Sequence, residues 1–173
     1  MNTHNWLRLI HIVIGVFWVG TAVFVATILI PATRAVGPSA GVLMRELMEN
    51  RKMPLVLMTS AVVTILSGSM LAWRDAGSMG FRWFESGAGL GFGIGAVAGI
   101  AALLVGLVVN MPTGRKMTAL MSQMQSAGGA PNEQQAAQIR KLQDRLFAAS
   151  RLIALLLIIA TAFMATARNF GAS

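Results

Sequence analysis

The chain has 173 residues, of which 55% are hydrophobic and 12% charged, and a formal net charge of +8. A soluble domain carries about 25% charged residues, so too few charges remain here to clothe a water-facing surface. The charges stand between long uncharged runs rather than on one face, which points to a membrane and away from nucleic acid. The absence of cysteine excludes disulfides, thiolate metal sites, c-type haem attachment and cysteine nucleophiles.

A bilayer core about 30 Å thick needs about 20 largely apolar helical residues, and four segments qualify. They are expected at approximately 8–33, 53–73, 86–112 and 146–168, forming an all-α, integral membrane four-helix bundle in a single domain. The first apolar run continues to Pro31, too long for the apolar region of a signal peptide, and is read as a retained span.

On this first span, His4, Arg8, His11, Gly15, Trp18 and Ala22 fall within an arc of about 80° at 100° per residue. Polar groups at membrane depth face the bundle interior or water, so this face is expected to point inward. His11 is the one histidine expected within the hydrocarbon. Three readings stand: an imidazole hydrogen-bonded to a neighbouring helix, a haem or metal ligand, or a proton shuttle. Met70 and Met164 are the candidate partners at that level, since methionine serves as an axial haem ligand in some cytochromes; an open sixth position is the other alternative. Arg8 and Arg168, with Arg74 and Arg82, are candidate partners for haem propionates, or else solvated charges.

The first loop, 34–52, contains Val42, Leu43, Leu47 and Met48 after Pro38-Ser39, a pattern for a short amphipathic helix on the membrane surface. The second span carries Ser60, Thr64, Gly68 and Ala72 at every fourth position. The third carries Gly87, Gly91, Gly95 and Gly99, flanked by Gly89, Gly93 and Gly106. Small residues at this spacing let helix backbones approach. They could equally make room for a flat cofactor or a lipid tail, or form a homodimer face.

In the loop 113–145, Gly128-Gly129-Ala130-Pro131 breaks the chain and Asn132 is a plausible N-cap. No breaker follows until Gly171, so the fourth helix is expected to begin well before the membrane with a polar extension. Arg151 is the one charge inside the fourth span, close enough to its start to snorkel.

Nine Lys and Arg lie in the loops after spans one and three, against four (Arg8, Arg74, Arg82 and Arg168) on the other side. The imbalance puts both termini outside and those two loops in the cytoplasm. Trp6, Trp73 and Trp83 then fall at the outer interface as part of an aromatic belt. No nucleotide-binding loop, HExxH or GxSxG is present, and no Asp or Glu lies inside a span, which argues against an ion-driven transporter.

Leu9-Ile10-His11 followed by Phe17-Trp18-Val19-Gly20 resembles the opening of several small bacterial membrane proteins. These include copper-resistance D-type proteins, the J-type membrane protoporphyrinogen oxidase, and an uncharacterised four-helix family allied to both. The last is also similar in the span ending near Pro31, in Leu66-Ser67-Gly68 before Trp73-Arg74-Asp75, and in Met164-Ala165-Thr166-Ala167-Arg168. The resemblance covers nearly the whole chain. It implies a four-helix bundle in a bacterial cytoplasmic (inner) membrane and a haem b or copper site at His11, with Trp18 beside it. The haem-binding relatives carry further histidines or a functional lysine in other spans, which this chain lacks, so protoporphyrinogen oxidase activity is not carried over. The expectation is a redox-linked membrane protein. The alternative is a non-catalytic subunit of a larger membrane complex or a homodimer. The lipid bilayer is a partner in either case and nucleic acid in neither.

Overall fold

The computed structural model describes residues 2–127 and 132–170. They are almost wholly helical, with no strand among the described residues. Four helices are long and apolar enough to cross a membrane. We label the rods α1 (Thr3–Val36), α2 (Met53–Ala76), α3 (from Gly87 through Val105 and on to Ala127) and α4 (Glu133–Thr166).

Local chemistry sets the starts. Asn2 caps α1 by accepting from Asn5 N, and Ser86 caps α3 by accepting from Gly89 N at 3.1 Å. Asn132 caps α4 as expected. Its side chain accepts from Gln135 N at 2.8 Å while the Gln135 side chain accepts from Asn132 N at 3.0 Å, a reciprocal capping box.

Two prolines lie inside the rods without ending them. Five-residue π turns, Val25–Leu29 in α1 and Gly106–Asn110 in α3, precede Pro31 and Pro112. A proline ring would strike the carbonyl four residues back. Here that carbonyl belongs to Thr27 or Val108, inside the widened turn, so each helix continues. Residues 113–127, expected as loop, are therefore helical. Met111–Ala127 and the first turns of α4 form a hairpin whose half-buried residues Met117, Leu120 and Met124 repeat at helical spacing, as do Ile139, Leu142 and Leu146.

The connection after α1 holds the short helix Gly41–Arg45 and a wider turn Glu46–Asn50. Of the four apolar residues expected on one face, Val42 and Leu43 are exposed, while Leu47 and Met48 fall in the wider turn and are half-buried. The chain reverses at Lys52, whose φ of 49° lies in the left-handed region.

The rods pack as two antiparallel pairs, α1 with α2 and α3 with α4, and the pairs touch along α1–α4 and α2–α3. Burial is inverted relative to a water-soluble bundle. The interior is largely alanine (Ala22, Ala26, Ala61, Ala98, Ala102, Ala154 and Ala160) around Trp18, Ile153 and Leu157. Val16, Leu66, Val97, Val108 and Leu155 face outward. Lipid supplies no hydrophobic drive between helices, so close backbone approach on small residues does the packing.

One expectation is corrected. Trp6 and Trp73 are 52% and 74% exposed, but Trp83 is 7% exposed and cannot belong to an interfacial belt. The segment Gly77–Glu85 folds back over the start of α3, where Trp83 stacks on Phe92 at 6.0 Å and meets Phe84 edge-on at 5.1 Å. Gly89 permits this, because a Cβ there would run into the Trp83 carbonyl.

Candidate functional site

The seam between α1 and α2 is built from the two patterns read in the sequence. Ser60, Thr64 and Ser67 are buried on α2, and Trp18 and Ala22 on α1. Each of these three hydroxyls donates back into its own helix: Ser60 to Val56 O, Thr64 to Ser60 O, and Ser67 to Val63 O. That satisfies polar groups which lipid could not. Gly15 of α1 faces the Thr64 methyl group.

His11 stands in this seam, half-buried. Its Nδ1 lies 2.8 Å from the Thr64 carbonyl oxygen and 3.3 Å from Ser67 Oγ. A carbonyl only accepts, so Nδ1 carries the proton. The hydroxyl of Ser67 is directed to Val63 O, which leaves its lone pairs free for the same N–H. In the neutral ring Nε2 is then the nitrogen with the lone pair. Fixing one ring nitrogen on a carbonyl is how proteins set the tautomer of a histidine that works through the other.

The ring lies against Gly68. A Cβ at that position would fall 2.7 Å from His11 Cε1 and 3.1 Å from Nδ1. Glycine is therefore required at 68 for the imidazole to reach the Thr64 carbonyl. The sequence pattern gave Gly68 as a small residue in a packing stripe. It could not show that the group filling the space is His11.

The other candidate residues are dispersed. Trp18 is in the core with Ala22, Ala61, Ala102, Ile153 and Leu157, about two helical turns along α1 from His11. Met70 is 51% exposed, and Arg8 and Arg168 are exposed at the end of the bundle that carries the termini. Arg8 thus leaves the inward arc on which it was expected. Met164 belongs to the other seam, where a Cβ at Gly95 would lie 2.7 Å from Met164 Cγ and 3.1 Å from Ala160 O. Among the described residues, no three His, Cys, Asp or Glu side chains gather in a way that could hold a metal ion.

The glycine stripe of α3 divides by position. Gly91 admits Ala167, just past the end of α4, Gly95 admits Ala160 and Met164 of α4, and Gly93 admits Phe84. Gly99 is buried, yet a Cβ there would meet nothing within 4 Å. Farther along the same seam, Asn110 Nδ2 donates to Ser150 Oγ at 3.3 Å and its Oδ1 is buried without a partner.

Sequence reasoning missed a second polar cluster, at the end remote from the termini. Arg34 pairs with Asp144 at 3.0 Å, and its guanidinium carbon lies 4.5 Å from the Phe147 ring centroid. Arg151 approaches the same ring at 5.0 Å. The spacing of Asp144, Phe147 and Arg151 along one helix face was the available signal; only the fold brings Arg34 to it.

Comparisons of this chain with protein-family models, with curated proteins and with solved structures find no match.

Proposed function

We propose that the chain is a multi-pass protein of a bacterial cytoplasmic membrane, with both termini outside, in which His11 Nε2 is the protein ligand to a haem b, making it a redox-linked membrane protein. Copper is the other guest that the same nitrogen suits. The supporting observation is the 2.8 Å bond from His11 Nδ1 to the Thr64 carbonyl, which holds the ring in one tautomer with a free lone pair on Nε2. The donor chemistry fits an axial haem ligand. In this reading Gly68 and Ser67 orient the ring, and Arg8 and Arg168 supply cations for the propionates at the same end. Met164, seated on Gly95, serves packing, and the 51% exposed Met70 faces away from the ring, so the haem would take its one protein ligand from His11. Bound haem would supply one-electron transfer.

An absorption spectrum tests this. Protein purified from haem- and copper-replete cells is expected to show a Soret band, or bound copper by elemental analysis, that His11→Ala abolishes. A colourless, copper-free wild-type protein overturns the reading.

The paired hairpin formed by Met111–Ala127 and the start of α4 favours a second reading, a non-catalytic subunit that contacts another chain, or a second copy, in the cytoplasm. Co-purification in mild detergent tests it. Migration alone at monomer mass counts against both the complex and the homodimer.

A further inference from the structure

The cluster on Phe147 is not used by His11 and lies at the opposite end of α1. Arg151 stands in an apolar segment of α4, five residues beyond Leu146, and makes no ion pair among the described residues. Its guanidinium and that of Arg34 both lie against the Phe147 ring, at 5.0 and 4.5 Å. Cation–π attraction holds each cation, but two like charges on one ring repel each other. One carboxylate is present to offset them. Asp144 engages only Arg34, through Nη2, and its side chain is 74% exposed, so water screens that pair. A net positive charge and several unused N–H donors remain where the apolar part of the bundle ends.

We propose that Arg34, Phe147 and Arg151 form a binding site for the headgroup phosphate of an anionic glycerophospholipid. A planar guanidinium offers paired N–H donors that match phosphate oxygens. Basic pockets between helices at the membrane surface recognise anionic headgroups in this way. The bound phosphate bridges the two cations, and its acyl chains run along the exposed Leu152 and Leu155 of α4.

The test is native mass spectrometry of the intact detergent-solubilised chain titrated with phosphatidylglycerol or with phosphatidylcholine. One phosphatidylglycerol is expected to bind at least tenfold more tightly than phosphatidylcholine. Arg151→Gln and Arg34→Gln should each lower that preference several-fold, while Arg151→Lys, which keeps charge but not the paired donors, loses part of it. Arg140→Gln removes the same charge from the exposed hairpin and is expected to leave the preference intact. Equal binding of the two lipids overturns the proposal, as does an equal loss in Arg140→Gln. Displacement of phosphatidylglycerol by millimolar inorganic phosphate also overturns it, by showing an anion site indifferent to the lipid. The His11 spectrum is independent of each of these outcomes.

Discussion

At the scale of single residues, the two glycines that matter most have opposite surroundings, and they should respond oppositely to one methyl group. A Cβ at Gly68 would fall 2.7 Å from His11 Cε1 and 3.1 Å from Nδ1, the nitrogen held by the Thr64 carbonyl. The ring cannot retreat without losing that bond. Gly68→Ala is therefore expected to destabilise the bundle by about 1–3 kcal/mol, the usual cost of overpacking, read as a lower melting temperature in detergent. It should also shift or abolish any His11-dependent absorbance. Gly99 is buried with nothing near its missing Cβ. Gly99→Ala fills space and removes a helix-interior glycine, so a gain of about 0.5–1 kcal/mol is expected; a fall in melting temperature would show that the space is needed. Both glycines belong to four-residue stripes that look alike in sequence. Spacing identifies a face, but which atom meets a given glycine depends on the register of the partner helix. For the same reason the inward face of His11 was legible from the arc it shares with Gly15, Trp18 and Ala22, whereas its bond to Thr64 was not. Arg8 marks where that arc stops applying: near a helix end an exposed position is available, and a guanidinium takes it.

At the scale of elements, the spans were readable because an apolar run of sufficient length has few alternatives in lipid. Their ends were harder. The third span was expected to end at about residue 112, where the Pro112 ring removes a donor and would clash one turn back. The π turn Gly106–Asn110 absorbs that clash, so α3 runs on to Ala127, and Val25–Leu29 does the same for Pro31. Composition carries no mark of a widened turn. Trp83 fails as a belt residue for a related reason: the fold of Gly77–Glu85 over Gly89 draws it inside. Caps were legible, because they depend on a few adjacent residues. Asn132 and Gln135 exchange hydrogen bonds at 2.8 and 3.0 Å in the hairpin, away from the apolar core. Asn132→Ala is expected to cost about 1 kcal/mol of local helix stability. Hydrogen exchange should then quicken over the first two turns of α4 while amides near Leu157 stay protected. Uniform protection loss would mean that the hairpin and the bundle unfold together.

For the whole molecule, the positive charge and the topology are one question. Nine Lys and Arg in the loops after α1 and α3, against four on the other side, favour a cytoplasmic location for those loops. The fold constrains the answer: two antiparallel pairs put both termini, His11 and the segment Gly77–Glu85 toward one end, and Arg34, Phe147, Arg151 and the hairpin at the other. Orienting any one of them orients all of them. The chain lacks cysteine, so a single introduced thiol reports one position without background. Ser78 and Ser126 are exposed at opposite ends. In intact cells a membrane-impermeant maleimide is expected to label Ser78→Cys, and to label Ser126→Cys only after permeabilisation. The reverse pattern would put His11 on the cytoplasmic side and the guanidinium cluster in the outer leaflet. The positive-inside count would then have failed for a chain whose hairpin alone holds Arg115, Lys116, Arg140, Lys141 and Arg145.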